Sequence, residues 1–400
     1  MKKKNRFRLL PMLLCLLMCA CSTQGQISLP TEESGIVGDN ENNMDEMDLA
    51  SQVDFNSLKK TGQMELKYAT QFTIEEYGIY DYITIAEDGL FLLVPEKAPV
   101  PVNLPDDVTV LQQPLNHTYL VSTSVMDFIS AIDAMDCLRL SGTKVEDWYI
   151  HDAKTAMENG SLLYAGKYSA PDYELILSEG CNLAIENTMI YHNPEIKEKL
   201  KELGIPVLVE HSSYESHPLG RLEWIKLYGE LFNRQEQAEN FYNEELVKIE
   251  PVMKQEYMGK SIAFFYVTMN GAVNVRKPND YIVQMIRLAG GNYALSELIE
   301  EDENALSTVN IQMEDFYAAA KDADILIYNS TIDGELQTVD DLIAKNILFA
   351  DFKAVREKNV YCTTSNFFQE TTGIGDFMVD LGIVLKGDMI ENNTYLKKLN

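Results

Sequence analysis

Arg221-Leu222-Glu223-Trp224-Ile225-Lys226-Leu227-Tyr228 opens the stretch on which the reading of this chain turns. Apolar residues recur at three- and four-residue spacing onward through Leu231, Ala238, Phe241, Tyr242 and Leu246, which is the period of one helix face. Between 219 and 257 the only turn signals are Gly229 and Pro251. The pattern predicts one long amphipathic helix with a charged outer face. It stands near the middle of the globular part of the chain. A rigid helix there would join two lobes and limit their relative motion.

Both flanks alternate between short β-type runs and helical stretches. Before it, the predicted strands are 82–85, 90–94, 119–122, 137–140, 182–186 and 207–209, with helices at 125–135, 171–178 and 194–203. After it, the strands are 262–267, 325–328 and 360–363, with helices at 281–289, 313–320 and 375–385. Such alternation indicates α/β units around mostly parallel sheets. The fold class expected is α/β, with two Rossmann-like lobes joined by a single long backbone helix.

The N-terminus is of another kind. Lys2, Lys3, Lys4, Arg6 and Arg8 precede an apolar run from Leu9 to Met18, broken only by Pro11. That run is shorter than the ~20 residues a spanning helix needs and reads as a signal peptide. Met18-Cys19-Ala20-Cys21 resembles the lipobox of bacterial lipoproteins, which implies a lipid on Cys21. From 22 to about 60 the chain is rich in Ser, Thr, Gln, Asn, Glu and Asp, too polar to offset its ordering entropy. The chain therefore divides into a signal peptide at 1–20, a lipidated disordered linker at 21–61, an N-terminal α/β lobe at 62–218, a connecting helix at 219–257 and a C-terminal α/β lobe at 258–400. The expected location is the extracytoplasmic face of a cell membrane, periplasmic or at the cell surface.

The net charge is −29, and removing the five signal-peptide cations takes it to −34. Nucleic acid is excluded as a partner, because phosphate neutralisation needs clustered Lys and Arg. Cys137, Cys181 and Cys362 are far apart with no CxxC spacing, so they read as free thiols rather than a zinc or redox motif. The sequence also lacks a Gly-x-Ser-x-Gly elbow, a His-Glu-x-x-His pair and a Walker lysine loop, so no enzymatic motif stands out.

Several local patterns, in order, carry a family resemblance. Ala170-Pro171-Asp172-Tyr173-Glu174-Leu175-Ile176 leads to Gly180-Cys181-Asn182-Leu183-Ala184-Ile185. Leu200-Lys201-Glu202-Leu203-Gly204-Ile205-Pro206-Val207 is a helix-to-strand step. Pro218-Leu219-Gly220-Arg221 enters the long helix. Ile286-Arg287-Leu288-Ala289-Gly290-Gly291-Asn292 follows, then Val309 to Phe316 with Asp322-Ala323-Asp324-Ile325-Leu326-Ile327, and finally Phe352 to Tyr361. Together these resemble the substrate-binding lipoproteins of ABC importers for iron-siderophore, haem and cobalamin, the class III periplasmic binding proteins. Cys181-Asn182 stands where Pro-Asp is usual.

The resemblance implies a monomeric binding protein, not an enzyme, that takes a small-molecule metal complex between its lobes and meets ABC permease subunits. The cargo expected is a chelated, siderophore-like iron complex, with no resident cofactor. Corrinoid, haem or a bare metal ion are the alternatives within the class. A tetrapyrrole chelatase-like bilobal enzyme is the alternative outside it, with Glu186 facing His192 or His211 as its test. Glu174 and Glu314 match the family's permease-docking glutamates, although a carboxylate in a first turn is also favoured by the helix dipole.

Ligands of open α/β sheets bind beyond the carboxyl ends of strands. The segments expected there are Thr123-Ser124, Gly142 to Lys144, Tyr164 to Tyr168, Glu186 to Thr188, His211-Ser212, Met269-Asn270, Arg276, Asn329 to Thr331 and Asn366 to Phe368. Tyr164, Lys167, Tyr168, Arg276 and Phe367 are the ligand-binding candidates, since aromatic faces with a cation suit a planar or anionic complex. The plain alternative for each aromatic is packing. All five histidines, His117, His151, His192, His211 and His217, precede the long helix. A bare-ion site built from both lobes is therefore disfavoured, and no metal ligands are assigned.

Overall fold

Phe72 and Ile74 alternate with exposed or half-exposed neighbours, the period of a strand with one buried face. In the computed structural model, which describes residues 52–297, 308–388 and 393–400, this alternation belongs to a first, separate sheet. Its strands are β1 (Gly62–Gln63), β2 (Phe72–Tyr77), β3 (Tyr80–Ile85), β4 (Gly89–Val94) and β5 (Val108–Gln112), paired in that order. The pairs are antiparallel except β4 with β5. Phe72 lies opposite Ile85 and Ile74 opposite Ile83, so one face joins the main core. The other face, with Tyr80, Leu92 and Val94, is covered by Val53, Phe55 and Leu58. Val102 and the 53–55 backbone exchange hydrogen bonds of 2.8 and 3.0 Å.

Two expectations change here. Residues 53–61 belong to the folded body rather than to a disordered linker. The expected α/β lobe at 62–218 is also not α/β throughout: its first part, 62–112, is this β layer, whose strands at 82–85 and 90–94 look like α/β strands by pattern alone. The signal peptide, Cys21 and the rest of the linker lie outside the described residues.

The first α/β lobe comprises β6 (Thr118–Leu120), α1 (Thr123–Ala131), β7 (Leu138–Ser141), α2 (His151–Glu158), β8 (Leu163–Tyr164), α3 (Tyr173–Ser178), β11 (Leu183–Asn187), α4 (Pro194–Glu202) and β12 (Val207–Glu210), with β9 (Gly166–Lys167) and β10 (Ala170–Pro171) as a small hairpin. The sheet order is β12-β11-β6-β7-β8, parallel throughout. Its central strands are buried on both faces, as parallel sheets are. Leu120, Ile185 and Leu208 face the main core. Tyr119, Ala184, Val207 and Val209 face a second apolar cluster with Ile176, Ile190, Ile196 and Leu200.

The connection is two helices, α5 (Pro218–Leu231) and α6 (Gln235–Met253), not one. The chain breaks at 232–234, where Asn233 adopts a left-handed φ of 55°, a conformation asparagine tolerates better than most residues. Gln113 donates its side-chain amide to the carbonyls of Glu230 and Leu231, capping the end of α5 from outside. The two helices then cross at Gly229, where a Cβ would lie 2.8 Å from Ala238 Cβ. Nearly every residue of α5 is buried, Arg221 and Glu223 included, so the exposed charged face belongs to α6 alone.

The second lobe comprises β13 (Ser261–Val267), β14 (Val273–Arg276), α7 (Tyr281–Leu288), β15 (Asn292–Tyr293), β16 (Thr308–Ile311), α8 (Met313–Ala320), β17 (Ile325–Tyr328), α9 (Val339–Lys345), α10 (Lys353–Arg356), β18 (Val360–Thr363), α11 (Ile374–Lys386) and β19 (Leu396–Lys398). The order is β16-β14-β13-β17-β18-β19, with β15 beside β13. β13, β17 and β18 are parallel. β14, β16 and β19 add antiparallel edges that the α/β pattern does not foretell.

Candidate functional site

Among the described residues, thirteen large apolar side chains are exposed. Seven of them, Tyr149, Tyr164, Met189, Tyr191, Met269, Ile332 and Phe368, lie at or just beyond the carboxyl ends of parallel strands. Tyr164 ends β8, Tyr149 follows β7, and Met189 and Tyr191 follow β11. Met269, Ile332 and Phe368 follow β13, β17 and β18 in the second lobe. Exposed apolar groups gathered in this way mark a binding surface, at the position where open α/β sheets take ligands.

On the first lobe the exposed cations join this surface. Lys144 Nζ lies 5.9 Å from the centre of the Tyr164 ring, within cation–π range. Its Glu146 neighbour is 3.9 Å away, with both side chains open to solvent. Lys167 is exposed on the β9–β10 hairpin. That hairpin is tight at Gly166, where φ is 86° and a Cβ would lie 2.2 Å from the Ala170 carbonyl oxygen. Tyr149 and Phe368 meet across the two lobes, with ring centres 6.0 Å apart and nearly perpendicular.

Behind this rim lies a polar layer. The hydroxyls of Ser122 and Ser124 are 3.0 Å apart and approach Glu210 at 3.4 and 3.5 Å, while Glu210 also accepts the Ser212 N–H at 2.8 Å. His211 is buried, stacks on Tyr214 and bonds Tyr191 Oη through Nε2 at 2.8 Å. Burial holds its ring below the ordinary histidine value, against the nearby carboxylates Asp88 and Glu210. Glu186 is wholly buried, and neither of its oxygens has a hydrogen-bond partner. Burial pushes its carboxyl up to about 8, so it is mostly protonated at neutral pH.

The expected site residues separate into two groups. Tyr164 and Lys167 are exposed at the strand ends. Tyr168 packs on the second apolar cluster. Arg276 pairs with buried Asp280 at 3.4 Å and lies over Phe264 and Tyr281. Phe367 packs on Phe377 and Tyr395, with ring centres 4.4 and 5.5 Å away, so its neighbour Phe368 is the ring left on the surface. Glu174 and Glu314 are exposed in the first turns of α3 and α8. Asp172 caps α3 by accepting the Leu175 N–H.

The histidines do not converge. His217 stacks on Tyr68 and caps α5 by accepting the Leu219 N–H, and His117 bonds the Glu179 carbonyl. Among the described residues no three His, Cys, Asp or Glu side chains form a group suited to a metal ion. Cys137 and Cys362 are buried and Cys181 half-buried, all free, and burial raises each thiol to about 11.

The pattern reading placed Lys144 and Phe368 in strand-end segments but chose neither as a ligand-binding candidate, and it missed Tyr149, because nothing in the sequence tells which of two adjacent aromatics turns outward. It also missed the buried contact of Arg221, whose guanidinium lies 4.5 Å from the Tyr281 ring and so touches the second lobe. A signal was present there. Arg221 and Glu223 stand two apart and point to different sides of α5, which an ordinary amphipathic helix does not allow.

Two α/β lobes on a helical connector, each with an exposed apolar rim at its strand ends, define a bilobal binding protein. The model of the periplasmic binding protein family matches residues 149–367, and the chain belongs to that family. An uncharacterized lipoprotein of Methanocaldococcus jannaschii is 26% identical over 290 residues, covering 70% of this chain and 68% of the relative. The periplasmic haem-binding protein of Vibrio cholerae shares the fold at a TM-score of 0.54 and 17% identity, covering 66% of this chain and 98% of its own. An ABC-type Fe3+-hydroxamate transport system structure from Saccharomonospora viridis does so at 0.51 and 18%, covering 67% and 92%. The five-stranded sheet at 62–112 lies outside the matched span.

Proposed function

We propose that this protein is the extracytoplasmic solute-binding component of an ABC importer and captures a chelated, siderophore-like iron complex between its lobes. The rim of exposed aromatics, with Lys144 over the Tyr164 ring and Lys167 exposed on the β9–β10 hairpin, carries the reading. In a chain of charge −29, cations kept next to aromatic faces at strand ends suit an anionic, partly planar ligand. The polar layer of Ser122, Ser124 and Glu210 behind the rim offers hydrogen bonds that orient it. The protein acts without turnover, as a monomer. Cys21 carries the lipid that keeps it near a permease, raising its effective concentration there. Cys21→Ala is expected to release it from the membrane fraction.

The test is native mass spectrometry against ferric siderophores, haem, cobalamin and divalent ions. Retention of a ferric siderophore is the expected result. Retention of none of the panel overturns the reading.

Haem is the second reading, and the Tyr191–His211 pair favours it, since tyrosine and histidine both ligate haem iron. Tyr191→Phe and His211→Ala would then shift the Soret band of the bound complex. Porphyrin metallation by the purified protein would instead support the chelatase alternative.

A further inference from the structure

Beside the two connecting helices, the lobes are bridged a second time. Asp127 of α1, in the first lobe, accepts the backbone N–H of Thr372 at 2.7 Å and its hydroxyl at 2.5 Å. Gln369 is almost fully buried. Its side-chain oxygen accepts the Tyr149 N–H at 2.7 Å, and its amide donates to the Asp147 carbonyl at 2.8 Å. Four hydrogen bonds thus tie residues 127–149 to residues 369–372, directly behind the Tyr149–Phe368 contact.

The surroundings of Asp127 are acidic. Glu370 lies on its own bridge and accepts from Tyr395 Oη and Asn366. From α6 comes Glu245, and from α11 Asp376. Lys248 on α6 is held by both of them, at 2.7 and 3.1 Å. α5 presents Tyr228, stacked on Phe128. α2 presents Asp152, which takes the Ser130 hydroxyl on another part of α1. Burial is the main force pushing Asp127 up to about 6; the Thr372 bonds oppose it, and Glu370 and Glu245 add to it.

We propose that Asp127 and Gln369 are positioning residues forming a proton-sensitive latch, which holds the lobes together more firmly when Asp127 carries a proton. The sign follows from linkage. The latched junction binds the proton more tightly than an opened one, in which Asp127 meets water. The stabilisation is complete below the ordinary aspartate value of 3.8 and is lost as pH rises through about 6. The proposal rests on the interlobe-capture reading only for its purpose, which is to couple lobe closure to external pH.

The test is amide hydrogen exchange on the full chain without ligand, with rates normalised to intrinsic exchange. Protection of the Thr372 amide is expected to fall about tenfold between about pH 5 and pH 8. The Tyr149 amide should follow it. In Asp127→Asn, whose side-chain oxygen can still accept from Thr372, the profile should be flat. A flat wild-type profile overturns the proposal by itself, whether or not the variant folds. So does an unchanged slope in Asp127→Asn. Failure to bind any iron complex would not affect this readout.

Discussion

Glu223, in the middle of buried α5, accepts the backbone N–H of Tyr68 at 2.7 Å. The same carboxylate accepts the Lys67 and Ala69 N–H groups at 2.9 and 2.7 Å. Glu215 does likewise for Thr70 and Gln71, and also takes the Trp224 indole N–H. Five consecutive backbone amides thus wrap two buried glutamates, fastening the first sheet to the connector. Neutralising one side should leave amides unsatisfied. Glu223→Ala is expected to lower the unfolding free energy by about 2–4 kcal/mol, read as a lower urea midpoint. A change under about 0.5 kcal/mol would mean that water replaces the carboxylate.

Phe367 and Phe368 are neighbours with opposite fates. Phe367→Ala should cost about 1–3 kcal/mol of stability, because its half-buried ring packs against the core, with ligand affinity of the folded fraction unchanged. Phe368→Ala should leave stability within about 1 kcal/mol and weaken binding about tenfold or more. Calorimetric titration with the ligand found in the panel, alongside thermal melts, distinguishes them. The reverse pattern would return the binding role to Phe367.

Lys144 and Tyr164 test the charge of the ligand. Lys144→Glu should weaken binding of an anionic complex, and the loss should shrink as salt is added, because exposed charges are screened. Equal affinity at low and high salt in wild type and variant would argue for a neutral ligand.

Glu174 and Glu314 are exposed, each in the first turn of its helix. Reversing both to Lys should abolish uptake in cells while leaving ligand affinity intact, since charges at a docking face set orientation and encounter more than affinity for a separate ligand. Lost affinity in the purified variant would place them in the ligand site instead.

Glu186 makes stability depend on pH. Its folded carboxyl, pushed by burial to about 8, holds a proton more tightly than the ordinary glutamate value of 4.5. Its contribution is full below 4.5 and disappears as pH rises through about 8. Glu186→Gln should therefore gain on wild type by a few kcal/mol between about pH 5 and pH 9, seen in urea midpoints. Parallel curves would mean that a water or cation neutralises the carboxylate.

The α/β class, both lobes and the helical link between them follow from residue order. Hydrophobic period is a local property, and 182–186, 207–209, 262–267 and 325–328 carry it plainly. The break at Asn233 is not legible in that way, because 232–234 holds no proline or glycine. The helix ends there because α5 must be buried on all sides while α6 turns to face water, and close crossing at Gly229 with capping by the distant Gln113 makes the turn stable. The first sheet is likewise hidden. Its strands match α/β strands in pattern, and only the pairing of β1 through β5 shows that they form a layer of their own.

The site divides along the same line. Sequence by itself determined which segments end strands, and so where a ligand would sit, because the carboxyl end of a strand is set by chain direction. Tertiary structure decided which side chains in those segments face outward. Tyr164 and Lys167 stay on the surface, while Tyr168 is drawn into packing by the second apolar cluster, Arg276 by Asp280 and Phe367 by Phe377. Such choices depend on how neighbouring elements pack against one another, and no local hydrophobic period records the free energy of that burial.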